Sequence, residues 1–121
     1  MTDKEEIKDG LVEEFHDNGQ LRFRENYKDG KPDGLWEGFH ENGQLKYRQN
    51  WKEGKPDGLW ESFDENGKLW IRENFKNGQQ DSLWEFFDEK GNLTKTETWK
   101  NGKLIEYENW VNRFLNETLE F

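Results

Sequence analysis

Apolar residues recur along this chain in short runs, each the length of a strand. Leu35-Trp36-Glu37-Gly38-Phe39 and Leu45-Lys46-Tyr47-Arg48-Gln49-Asn50-Trp51 alternate apolar or small positions with polar ones, and Leu59–Phe63 and Leu69–Phe75 repeat the pattern. Alternation at period two is the mark of a half-buried strand, and nothing here has the i, i+3, i+4 spacing of an amphipathic helix. Between the two runs lies Glu41-Asn42-Gly43-Gln44. Asn-Gly is a strong two-residue hairpin signal because both residues tolerate positive φ. The outgoing Glu53-Gly54-Lys55-Pro56-Asp57-Gly58 reads as a second turn, since strand interiors reject Pro and Gly.

This sentence is written four times. Gly10, Gly34, Gly58 and Ser82 open near-copies at an interval of 24 residues. A fixed period of this length marks stacked units, none able to bury its own apolar surface alone. The prediction is an all-β antiparallel meander of about eight to ten strands, each repeat adding a hairpin. The domain is 1–121, with repeats 10–33, 34–57, 58–81 and 82–105 and an atypical segment 106–121. One further strand is expected from Lys103 to about Trp110. Beyond it, Phe114, Leu115, Leu119 and Phe121 make the tail too apolar for a solvated end, so it is expected to fold back as a cap or form a homodimer contact.

With Asn42-Gly43 as a two-residue loop, Gly38 faces Tyr47, Trp36 faces Gln49, Glu37 faces Arg48 and Phe39 faces Lys46. One face then carries Trp36, Gly38, Leu45, Tyr47 and Trp51, repeated as Trp60, Ser62, Leu69, Ile71 and Phe75. The other carries the cross-strand pairs Glu13–Arg24, Glu37–Arg48 and Glu61–Arg72, together with Leu35, Leu59, Phe39, Phe63 and Phe87.

The unit GLWEGFHENGQLKYRQNWKEGKPDG resembles the variant form of the MORN repeat, and more closely repeats of the bacterial YwqK-type antitoxin family, over Gly10 to about Ile105. The resemblance implies an elongated, curved, single-layer sheet and a protein-binding role. Antitoxin or immunity function, neutralising a cognate toxin by binding and occlusion, follows from the resemblance alone.

Composition then narrows the partners. Charged residues are 37% of the 121, and the formal net charge is −9. That disfavours nucleic-acid backbones and anionic membranes and suits a basic protein. No apolar run approaches the roughly 18 residues of a membrane span. The start MTDKEEIKDG has no signal-peptide core, so cytoplasmic location is expected and the Asn92-Leu93-Thr94 and Asn116-Glu117-Thr118 sequons carry no meaning. Cysteine is absent, which removes thiol chemistry.

No catalytic, cofactor or metal residue is assigned. His16 and His40, with Asp64 and Asp88 at the same place in later units, would lie about 9–10 Å apart across two strands, too far to share an ion. Glu37, Glu61 and Glu85 recur at the same spacing, beyond the roughly 5–5.5 Å of a retaining carboxylate pair, so no enzyme is expected. Residues that break the repeat are the better binding candidates. Trp70 stands where Arg22, Lys46 and Thr94 stand, opposite Phe63 in this register; Phe86 stands where Gly38 and Ser62 stand. An aromatic among charges is a plausible hot spot, and Glu41, Glu53 and Glu65 would steer a basic partner. Two other readings remain open: a self-associating MORN-type scaffold, and a carbohydrate or peptide binder using Trp36, Trp60 and Trp84.

Overall fold

Each unit reverses direction twice, and the two reversals use different chemistry. At Asp29-Gly30, Glu53-Gly54, Asn77-Gly78 and Asn101-Gly102, both residues have positive φ, about 50° and then 77–86°. This is the two-residue type I′ turn, whose twist matches that of the flanking strands. The computed structural model describes residues 9–109. It consists of β1 (Gly10–Phe15), β2 (Leu21–Lys28), β3 (Lys31–Phe39), β4 (Leu45–Lys52), β5 (Lys55–Phe63), β6 (Leu69–Lys76), β7 (Gln79–Gln80), β8 (Ser82–Phe87), β9 (Leu93–Lys100) and β10 (Lys103–Asn109). Among the described residues these form one antiparallel sheet in the order β1-β2-β3-β4-β5-β6-β8-β9-β10, with β7 paired to β6. The meander is as expected, and β10 begins where the extra strand was placed. The predicted cap or homodimer contact falls on residues 110–121, outside the described residues.

The expected turn assignment is corrected in two places. The Asn-Gly loops are not two-residue turns. Gly38↔Tyr47, Glu37↔Arg48 and Trp36↔Gln49 hold, but Phe39 faces Leu45 instead of Lys46, with the register shifting after Gly38. The loop therefore runs from His40 to Gln44, closed by His40 N–H to Gln44 O (2.8 Å) and Gly43 N–H to His40 O (2.9 Å). Asn42 is spent on side-chain bonds: its Oδ1 accepts from Gln44 N–H at 2.9 Å, and its Nδ2 donates to Glu65 O of the next unit at 2.7 Å. Lys31-Pro32-Asp33-Gly34 and Lys55-Pro56-Asp57-Gly58, expected as turns, belong to β3 and β5. They sit in a bulge, with Glu25 facing Trp36 but Tyr27 facing Pro32. Gly34 takes φ 100° there, and Asn26 Nδ2 donates to Leu35 O at 2.7 Å, satisfying a carbonyl that the bulge frees from the ladder.

Successive units are tied at both ends of the strands. At one end Gly54 and Gly78 N–H donate to Pro32 and Pro56 O, both at 2.8 Å. Asp33 and Asp57 Oδ1 accept from Glu53 and Asn77 N–H, both at 2.9 Å. At the other end His16 and His40 Nε2–H donate to Phe39 and Phe63 O at 2.8 and 3.0 Å. The histidines thus tie the first unit to the second and the second to the third, whereas Asp64 and Asp88 at the same place accept from N–H groups of their own loops.

No described apolar side chain is fully buried. The core is instead a file of rings on one face: Tyr27, Trp36, Trp51, Trp60, Phe75, Trp84 and Trp99, with consecutive centroids 5.0–5.5 Å apart and planes tilted 41–57°. Trp36, Trp60 and Trp84 are every second ring of this file, so the ladder expected at about 10 Å is filled in between. Each contact contributes about 0.5–1.5 kcal/mol beyond the area it buries. Trp36, Trp60 and Trp84 Nε1–H donate to the carbonyls of Asn26, Asn50 and Asn74, all at 2.8 Å. On the opposite face the register aligns Glu13, Arg24, Glu37, Arg48, Glu61, Arg72 and Glu85 in one alternating row. Its ion pairs run from 3.0 Å at Arg24–Glu13 to 3.9 Å at Arg24–Glu37. The predicted pairs are present, and they continue from one unit into the next.

Candidate binding surface

Three of the candidate binding residues meet in one place, and one of them, Trp70, departs from the repeat. Trp70, Phe63 and Glu65 line an open groove of about 340 Å³, together with Lys46, Tyr47 and Ser62. Trp70 does not face Phe63 across the ladder as expected. Ser62 faces Ile71 and Phe63 faces Leu69, which leaves Trp70 as the unpaired residue of the bulge. A bulged residue is released from the pleat and re-aimed, and the Trp70 side chain is 51% exposed.

Tyr47, which lines the groove, lies against a small residue of the neighbouring strand. A Cβ on Gly38 would meet the Tyr47 ring at 2.1 Å, so the phenol lies flat across β3. Tyr47 and Ser62 both line the groove. Burial, and then the charge of Glu25, raise the Tyr47 hydroxyl above its ordinary value. It therefore stays protonated and able to donate.

The other candidates lie elsewhere. Glu41 lines an adjoining groove of about 490 Å³ at the same end of the strands, and that groove shares Lys46 and Glu65 with the first. Glu53 is at the opposite end, in a type I′ turn beside Trp51 and Asp33. Phe86 is already engaged: it faces Lys95, whose Nζ sits 4.5 Å from the ring centroid and pairs with Glu97 at 3.1 Å. Tyr47 and Lys46 were missed as contributors, because only the register shift brings them beside Trp70.

A second irregularity lies higher on the same strand. On the aromatic face three of the four units place an acid or amide two residues before a ring that donates to it. Tyr27 Oη–H bonds Glu25 Oε1 at 2.9 Å, and Trp51 Nε1–H bonds Gln49 Oε1 at 3.1 Å. Trp99 Nε1–H bonds Glu97 Oε1 at 3.1 Å. In the third unit the pair is Glu73 and Phe75, and phenylalanine has no proton to give. Burial, and then the charge of Glu97, raise the Glu73 carboxyl above its ordinary value. The substitution was visible by aligning the units, but its consequence depends on the side-chain geometry.

Among the described residues no group of three or more His, Cys, Asp or Glu is arranged to hold a metal ion, and no helix is long and apolar enough to cross a membrane. What stands on the page is a repeat-built sheet with an exposed aromatic groove, the architecture of a repeat-based binding or scaffold module. The MORN repeat variant matches residues 8–29, 32–53, 56–77 and 80–101, and the chain belongs to that family. No curated protein matches the chain.

Proposed function

We propose that this chain is a non-enzymatic protein-binding module that seats a basic partner on the Trp70 groove, and that the partner is a cognate toxin held inactive by occlusion in the cytoplasm. The observation that carries the binding reading is Trp70 itself. Every other tryptophan among the described residues stacks in the ring file, whereas Trp70 stands half-exposed beside Phe63, Tyr47 and Glu65. Central aromatic anchors ringed by polar groups carry most of the energy of an interface. The net charge of −9 supports a basic partner by steering its approach. The toxin role rests on the resemblance of the repeat unit to antitoxin repeats.

The test is co-expression with the protein encoded beside this one. The two should co-purify, the pair should restore growth that the neighbour alone suppresses, and Trp70→Ala should abolish both effects. Absence of a complex, or protection unchanged by Trp70→Ala, refutes the proposal. A scaffold that self-associates is favoured by one separate observation: β10 ends the described sheet with Leu104, Ile105 and Tyr107 at 46%, 61% and 63% exposure. Light scattering showing a concentration-dependent oligomer would support that reading. The carbohydrate reading is not carried forward, since each inner ring of the file is flanked by two others.

A further inference from the structure

Asn-Gly dipeptides occur among the described residues at Asn18, Asn42, Asn66, Asn77 and Asn101. They share one chemistry but not one environment. In the first two loops the asparagine amide is held at both ends. Asn18 and Asn42 Oδ1 accept from Gln20 and Gln44 N–H, both at 2.9 Å, and their Nδ2 groups donate to Glu41 and Glu65 O of the next unit, both at 2.7 Å. The third loop is wired differently. Asp64 stands where His16 and His40 stand, and its Oδ1 accepts from Lys68 N–H at 2.9 Å, the bond that Asn18 and Asn42 take in their own loops. Toward the next unit, Glu89 O receives Lys68 Nζ at 3.4 Å, where the earlier loops send an asparagine Nδ2. Both partners of the amide are thus replaced. Asn66 is exposed, and its side-chain amide has no hydrogen-bond partner among the described residues.

We propose that Asn66-Gly67 is a site of spontaneous deamidation, set in the loop that walls the Trp70 groove. The Gly67 nitrogen attacks Asn66 Cγ, so a C–N bond forms and the Cγ–Nδ2 bond breaks. The proton leaving Gly67 is carried by water to the departing Nδ2, which is released as ammonia. Water then opens the succinimide at either carbonyl, leaving aspartate or isoaspartate. Gly67 has no Cβ to obstruct the attack, and the Asn66 amide turns freely into reach, whereas two hydrogen bonds hold it in Asn18 and Asn42. Asn77 and Asn101 also lack a side-chain bond, but there the attacking nitrogen is tied to the preceding unit. Gly78 and Gly102 N–H donate to Pro56 and Gln80 O at 2.8 and 2.9 Å, whereas Gly67 N–H donates within its own loop to Asp64 O at 3.0 Å. The product adds a carboxylate next to Glu65, and isoaspartate also lengthens the backbone, in a loop whose Asp64 and Glu65 line the groove. The chemistry is independent of what the groove binds.

The test incubates the full chain near neutral pH and follows each asparagine by peptide mapping with mass spectrometry. Asn66 should convert to aspartate and isoaspartate at least about tenfold faster than Asn18 or Asn42, and faster than Asn77 or Asn101. In urea the difference among the three loop sites should vanish. Asp64→His should restore the wiring of the second unit and slow Asn66 about tenfold, and His40→Asp should speed Asn42 by a similar factor. Each variant places a residue that an equivalent loop already carries, so the fold is kept. Equal rates at Asn42 and Asn66 in the folded chain, faster conversion at Asn77 or Asn101, a difference that persists in urea, or an unchanged Asn66 rate in Asp64→His overturns the assignment.

Discussion

Replacing Phe75 with tryptophan should stabilise the protein, and the gain should come from Glu73. The slot accepts the larger ring: Trp51 occupies its equivalent between Trp36 and Trp60 at 5.3 and 5.0 Å, while Phe75 sits 5.0 and 5.3 Å from Trp60 and Trp84. A hydrogen bond to a charged acceptor contributes about 1.5–3 kcal/mol, and the half-exposure of Glu73 reduces this to about 1 kcal/mol. For a chain of 121 residues that corresponds to a rise in Tm of roughly 3–6 °C.

The same pair has a pH signature. Because burial and Glu97 raise the Glu73 pKa in the folded state, the native protein holds this proton more tightly than the unfolded chain does. Stability from this group is therefore full below the ordinary glutamate range and is lost as pH rises through the raised value. Phe75→Trp should flatten that decline, since a donor to the carboxylate lowers its pKa. Thermal unfolding followed by circular dichroism from pH 4 to 8 measures both effects. If the gain persists in a Glu73→Ala background, it comes from ring area and not from the donor, and the reasoning fails.

Gly38→Ala should destabilise by about 1–3 kcal/mol, because its Cβ would meet the Tyr47 ring at 2.1 Å, and the loss should largely vanish in a Tyr47→Ala background measured by urea denaturation. Asn50→Ala removes the 2.7 Å bond to Leu59 O inside the bulge and should cost about 1–2 kcal/mol in the same assay. Trp70→Ala should leave Tm within about 2 °C, since the ring stands outside the stacked file, while lowering affinity for the partner at least tenfold by calorimetry; a large loss of stability would recast Trp70 as structural.

Much of this architecture was legible in the chain alone. The interval of 24 residues specified stacked hairpins, and alternation at period two specified which residues share a face. The pairs Glu13–Arg24, Glu37–Arg48 and Glu61–Arg72 followed because opposite charges recur at matching distances from each loop. These features are local, or repeat identically, so the pattern carries them without coordinates. The departures Trp70, Phe86 and Phe75 were equally visible, since a repeat supplies its own control.

The assignment of the turns was not legible. Asn42-Gly43 has the better local preference for a type I′ turn, yet that geometry falls on Glu53-Gly54, where Glu53 is held at φ 50°. The bonds that decide this join residues of different units, from Asp33 to Glu53 and from Asn42 to Glu65. Their combined effect outweighs the preference of a single dipeptide. The register shift that follows moves every residue near the loop by one place. It takes Trp70 out of the ladder and into a groove with Tyr47 and Lys46. Sequence identified which residues were unusual; only the tertiary structure decided which of them meet, because a one-residue bulge redirects side chains without leaving any trace in the pattern of apolar and polar positions.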